Sequence, residues 1–224
     1  MKSPAIIARA VAFVVGLFAW SRTSAASLQA APDPAPADPV PAAQPDAFAD
    51  IAPQDRPAQG YDSPDVQAGN VEAFGAAVAA AEGTINGPND GYDVLFGWPQ
   101  PGRTFDSNAA TDHPRRLFPF TDKAGKVSNS SAAGRYQINA PTYDDIVKRY
   151  RLQSGFTPAH QDAIFEALLR DRGALDAVKA GRFDDAIASA RRTWASLPGA
   201  GYNQQERSLS YVKTAYLTAG GAIA

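Results

Sequence analysis

Apolar and polar positions set out the elements of this chain from its middle onward. Phe74, Ala77, Val78 and Ala81 fall at i, i+3, i+4 and i+7, one apolar face of an alanine-rich helix. Gly83 and the Thr-Ile-Asn-Gly run after it are stop signals, so that helix should end at Glu82. From Asn86 to Ser131 helical periodicity is lost. Gly91 to Gly97 has the length and alternation of a short strand, and Pro99, Pro101, Gly102, Pro114, Pro119 and Gly125 divide the rest into loops with one or two short hairpins. Helical spacing returns after Asn139. Thr142–Arg151 places Tyr143, Ile146, Val147 and Tyr150 on one side, and Thr157-Pro158 is a cap and first turn for a helix that stops near Gly173. A short helix is predicted around Leu175 and Val178, another from Phe183 to Ser196, and a last one from Gln204 to Ala219. The sum is an α+β domain over about residues 69–221, helices first and last, with a small β and loop lobe between.

The N-terminal third follows other rules. Met1 to about Ala26 has Lys2 and Arg9, an uncharged run from Ala10 to Trp20, and small residues at Ser24-Ala25-Ala26. This is the pattern of an export signal, with a retained membrane anchor as the alternative. The run is shorter than the ~20 residues that span a bilayer as a helix. Residues 27–68 form a linker. Nine prolines and seven aspartates fall within 31–67, against few large apolar side chains, too few to offset the entropy of ordering. Its Pro-Ala pattern favours an extended spacer.

Composition removes several function classes. The net charge of −2 offers no electrostatic footprint for nucleic acid or an anionic membrane surface. With no cysteine there is no disulfide framework, thiolate metal site or cysteine nucleophile. His113 and His160 lack metal-ligand spacing, and no phosphate loop, dinucleotide fingerprint or nucleophile elbow is present.

Carboxylates remain, and Glu82 is the one in an unusual setting. It is the only charged residue between Glu72 and Asp90 and sits at a helix C-terminus among alanines. The negative end of the helix dipole and apolar surroundings both disfavour ionisation, which would suit Glu82 to general-acid work. The plain alternative is a solvated glutamate at a fraying helix end. Ser131–Asn139 combines small residues with Tyr136 and Gln137, a ring and an amide suited to sugar hydroxyl or N-acetyl groups; a turn pinned by Gln137 is the structural alternative. In Trp194–Gln204 a helix end leads into a glycine-rich loop. Trp194 is expected in the core, whereas Tyr202 is exposed and fit to stack on a sugar face.

Several stretches in one order carry a resemblance: Glu82-Gly-Thr, Gly91-Tyr-Asp-Val, Asp112-His-Pro-Arg, Ala133-Gly-Arg-Tyr-Gln, Ser154-Gly-Phe-Thr-Pro with Gln161-Asp-Ala, Arg172-Gly-Ala-Leu and Trp194-Ala-Ser-Leu-Pro-Gly-Ala-Gly-Tyr. Together they resemble the bacteriophage lambda endolysin family, lytic transglycosylases of lysozyme-like fold, over about residues 71–221. The resemblance implies that Glu82 is the single catalytic residue and that Tyr136, Gln137 and Tyr202 bind sugar. It makes Asp93 a plausible cleft residue and gives Asp112 and His113 a loop role. It also implies cleavage between N-acetylmuramic acid and N-acetylglucosamine with formation of a 1,6-anhydro product, acting on peptidoglycan strands without metal or cofactor. Nothing in the sequence indicates a homo-oligomer, so a monomer is expected. The alternatives are a hydrolytic lysozyme, with Asp90, Asp93 or Asp112 positioning a water, and a non-catalytic wall-binding module. The N-terminal segment adds export to the periplasm or cell envelope, for wall remodelling or lysis.

Overall fold

The computed structural model describes residues 63–121, 125–202 and 205–224. The expected signal segment and the linker up to Asp62 lie outside the described residues. Helix α1 (Pro64–Glu82) starts earlier than the expected domain boundary at residue 69. Ser63 makes this possible: its side chain accepts the Val66 amide at 3.3 Å, and Pro64 occupies the first turn, where its missing N–H costs nothing. At the other end Gly83 takes φ 77°, the left-handed conformation that closes a helix. Its amide donates to Ala80 O, and Thr84 donates from both N and Oγ1 to Ala79 O.

The region expected to hold a strand at 91–97 is a series of turns. Val94 makes a single bridge to Thr104 and Leu95 one to Ala133. Two neighbouring residues thus pair with different segments, so no ladder develops. The one hairpin among the described residues is β1 (Phe118–Thr121) with β2 (Val127–Ser130), antiparallel in the register Phe118↔Ser130 to Thr121↔Val127.

Five helices follow: α2 (Ala140–Tyr150), α3 (Pro158–Asp171), α4 (Leu175–Lys179), α5 (Phe183–Ala190) and α6 (Leu209–Thr218). Thr157 caps α3 as expected, its side chain accepting the His160 amide. Helix α5 stops at Ala190, six residues short of the expected Ser196. Ala190 O accepts from both Thr193 N and Trp194 N, which tightens the chain into a turn. Trp194 then enters the core as expected, and its indole N–H donates to Tyr136 O at 3.0 Å. Helix α6 starts at Leu209, where the Ser208 side chain accepts the Tyr211 amide; the expected start at Gln204 lies outside the described residues, and 205–208 are not helical.

The core lies along α1, which packs on α3, α4 and α6. Phe74 of α1 meets Phe183 and Tyr216 edge-on, with ring centroids 6.2 and 6.5 Å away. Asn70, also buried, stitches α1 to the far end of the domain: its Nδ2 donates to Lys179 O, and its Oδ1 accepts from Ala222 N. Ala224 N donates to Gly181 O, and Tyr216 Oη to Ala222 O.

Gln161 of α3 holds the loops that frame α1's end. It is fully buried; Oε1 accepts the Arg135 amide, and Nε2 donates to Tyr92 O and Phe156 O. Gly134 lets this happen. It has φ 75°, and a Cβ there would lie 2.0 Å from Gln161 Oε1. Replacing Gln161 with Leu would leave one amide and two carbonyls in search of partners. At about 1–3 kcal/mol per orphaned buried group, Gln161→Leu should lower the unfolding free energy by roughly 3 kcal/mol or more. Urea denaturation of the variant measures it, and a loss under about 1 kcal/mol would show that other partners or water replace the amide.

Candidate active site

Glu82 ends α1 and is only 8% exposed. Three segments close over it: the chain after Gly83, the turns at 94–98, and Gln137. They leave a hollow of about 10 Å³, room for roughly one water. Two much larger hollows, of about 620 and 630 Å³, lie between α1 and α3 and between α1 and α6, and Glu82 lines neither. The acid's chemistry, not volume, locates the site.

Burial pushes the Glu82 carboxyl from 4.5 up to about 7. The expected desolvation is therefore the leading cause. Two groups oppose it. Ser196 Oγ donates to Glu82 Oε1 at 2.6 Å, and the Arg207 guanidinium adds a favourable charge; both favour the ionised form. Neither residue stood out in the sequence. Ser196 lies inside the Trp194–Tyr202 motif, however, and a hydroxyl at the base of a glycine-rich loop was the available signal.

The other candidates take varied positions. Gln137 shares the hollow with Glu82, in a left-handed backbone at φ 47°. Its Nε2 donates to Gly134 O at 3.0 Å, so it pins the turn and walls the site at once. Tyr136, expected to offer an open ring, is 4% exposed. Its ring stacks on Phe165 at 4.3 Å, and its hydroxyl donates to Asp162 at 2.6 Å. It does not line the hollow at Glu82 but contributes to the wall of the larger one between α1 and α3. Asp93 Oδ1 accepts from Ser107 N and Asn89 Nδ2, tying one loop to another outside the hollow. Tyr202 is exposed as expected, and its hydroxyl donates to Arg192 O. Asp112 pairs with Arg115, while the buried His113 ring bonds Ile138 O and the Arg115 amide, both loop-holding contacts. Among the described residues no cluster of three or more His, Asp or Glu could hold a metal ion.

A helical domain with one small hairpin and, among the described residues, one buried carboxyl group at the end of its central helix fits the lysozyme-like class of fold that the sequence resemblance implies. Comparison places it within that class. A family model for endolysins matches residues 72–223. The endolysin of Escherichia phage P2 is 40% identical over 160 residues, covering 68% of this chain and 93% of the relative. The endolysin of Escherichia phage lambda is 36% identical over 156 residues, 68% of this chain and 92% of its own. Bacteriophage lambda lysozyme, solved in complex with a chitohexasaccharide, superposes with a TM-score of 0.61 at 36% identity, over 70% of this chain and 97% of that one. The chain belongs to the endolysin family, enzymes of lysozyme-like fold that degrade peptidoglycan.

The proton affinity of Glu82 has a cost in stability. The unfolded carboxyl ionises near 4.5 and the folded one near 7, so between them the native state holds a proton that the unfolded state has released. Below 4.5 both states are protonated and nothing is lost. Stability then falls as pH rises to about 7, by about 3 kcal/mol in all. Glu82→Gln removes this dependence. The stability of the variant relative to the parent should therefore grow by about 3 kcal/mol between pH 4 and pH 8, as measured by urea unfolding at both. A difference that does not change with pH would mean that Glu82 titrates like an exposed glutamate.

Proposed function

We propose that this chain is a lytic transglycosylase. It would cleave the β-1,4 bond between N-acetylmuramic acid and N-acetylglucosamine in peptidoglycan, with Glu82 as both acid and base. One observation carries the reading: the hollow at Glu82 has a single carboxyl group among the described residues that line it, and that group is poised near neutrality. Most hydrolytic glycosidases use a second carboxylate, as nucleophile or as base for water, within about 5–10 Å of the first. Of the three aspartates that could position a water, Asp93 is held by loop amides and Asp112 by Arg115, while Asp90 lines the separate hollow between α1 and α3 and not the one at Glu82.

One carboxyl group suffices for an intramolecular reaction. Protonated Glu82 donates to the glycosidic oxygen as its bond to the muramoyl C1 breaks. The substrate's own N-acetyl group stabilises the positive charge at C1. Glu82, now ionised, takes the proton of the muramoyl C6 hydroxyl, whose oxygen bonds to C1. A 1,6-anhydro ring forms, no water is consumed, and Glu82 is protonated again. A pKa near the working pH serves both half-steps, since the same group must give and take a proton. Ser196 supports the ionised state by hydrogen bonding, and Gln137 offers an amide at the wall of the hollow. The bound chitohexasaccharide of the lambda lysozyme structure supports a glycan chain as substrate. The charged start and apolar run of the N-terminal segment support export to the cell envelope. No described helix is long and apolar enough to cross a membrane.

The test is mass spectrometry of the muropeptides released from peptidoglycan by the full chain. Anhydro-muramoyl ends are expected, with release lowered about 10²–10⁴-fold in Glu82→Gln. Reducing ends one water heavier would replace this reading with a hydrolase. Undiminished release by the variant would remove Glu82 from the mechanism.

A further inference from the structure

Glu206 has no part in the chemistry above and Arg207 enters it only as a charge near Glu82, yet the two organise the ground beneath it. The Glu206 carboxylate accepts the amides of Gly199 and Gly201, one on each oxygen, both at 2.7 Å. The Arg207 amide donates to Ser196 O at 2.8 Å, which ties the two ends of this segment together. The Arg207 side chain then crosses to α1, where Nε donates to Ala81 O at 3.3 Å. Its guanidinium lies 5.4 Å from the ring centroid of Tyr211, whose hydroxyl reaches back to Ala80 O. One backbone closure therefore presents two groups at the end of α1: the Ser196 hydroxyl, bonded to Glu82, and a cation fixed on the last turn.

We propose that Arg207, seated by the turn that Glu206 closes and fixed on the carbonyl of Ala81, is a positioning residue for Glu82 whose cation favours the ionised carboxylate. The carbonyl end of a helix carries partial negative charge, and burial adds to its effect; both hold the carboxyl group protonated. A proton donor trapped in that form could not take the second proton back. Arg207 offsets both effects where they act, on the carbonyl of the residue next to Glu82. Few other groups compete. The turns at 94–98 and Gln137 bring no titratable side chain to the hollow, Arg103 lies behind those turns with Nη1 donating to Phe96 O, and Ser196 brings a neutral donor. The charge of Glu206 is engaged by two amides.

The direct test titrates Glu82 in the full chain by NMR of carboxyl-labelled glutamate and needs no substrate. Arg207→Gln should raise the Glu82 midpoint by about half a pH unit or more, because an adjacent cation favours the ionised form. Arg207→Lys, which keeps the charge, should stay near the parent. In peptidoglycan digestion the alkaline limb of kcat/KM should move upward with the midpoint. Arg207→Met, whose stem can still cover Tyr211, takes the place of the Gln variant should that one not fold. An unmoved midpoint in the neutral variant overturns the proposal, as does a Lys variant displaced as far as the neutral one. The kinetic consequence rests on the transglycosylase reading, but the titration does not. A parent chain that titrates as expected and cuts no glycan would sink the reaction and leave the role of Arg207 standing.

Discussion

Everything in this domain answers to one constraint: a carboxyl group must be kept out of water at the end of a helix. The alanines of α1 make this possible. Small side chains let α3, α4 and α6 approach the helix closely, so its last turns are buried although its first ones are not. Gly83 then turns the chain at once, in a conformation that a residue with a Cβ adopts at a cost. The loops that follow fold back over Glu82. Burial alone would leave the group a permanent acid, and Ser196 and Arg207 temper it. The site is a balance between desolvation, which dominates, and two polar contacts from a segment more than a hundred residues away.

How far this could be read in advance depends on the range of the interactions. The end of α1 at Glu82, the start of α3 at Thr157 and the core position of Trp194 are written in local spacing, and all stand as expected. Errors arise where a distant partner overrides local preference. The alternation of Gly91–Gly97 suits a strand, but Leu95 is taken by Ala133 while Val94 is taken by Thr104. The apolar spacing of α5 runs on past Ala190, yet the indole of Trp194 is drawn to Tyr136 O and the helix breaks first. Helix α6 loses its expected first turn because Glu206 and Arg207 are engaged by the glycine-rich turn and α1.

The site divides in the same way. Glu82 and Gln137 were legible because small residues around a polar one are a local signal. For Tyr136, local spacing shows a ring but not what covers it; Phe165 does so from α3. Asp93, legible as a carboxylate, has its oxygen occupied by Ser107 N. Ser196 was hidden inside a motif whose glycines and aromatics drew the eye, and the reach of Arg207 to Ala81 O has no trace in the sequence around either residue.

The stitch through Asn70 gives the domain a temporal property. Asn70 stands near the start of α1 and holds Ala222, at the far end of the domain, while Ala224 reaches Gly181. A ribosome delivers these residues in order, so α1 emerges long before the groups that bury it. Ser196 and Arg207 also arrive late. Until they do, Glu82 has the hydration of an unfolded chain and the proton affinity of any glutamate. The order of synthesis therefore acts as a timer: a nascent or truncated chain carries a carboxylate, and only the finished domain carries an acid.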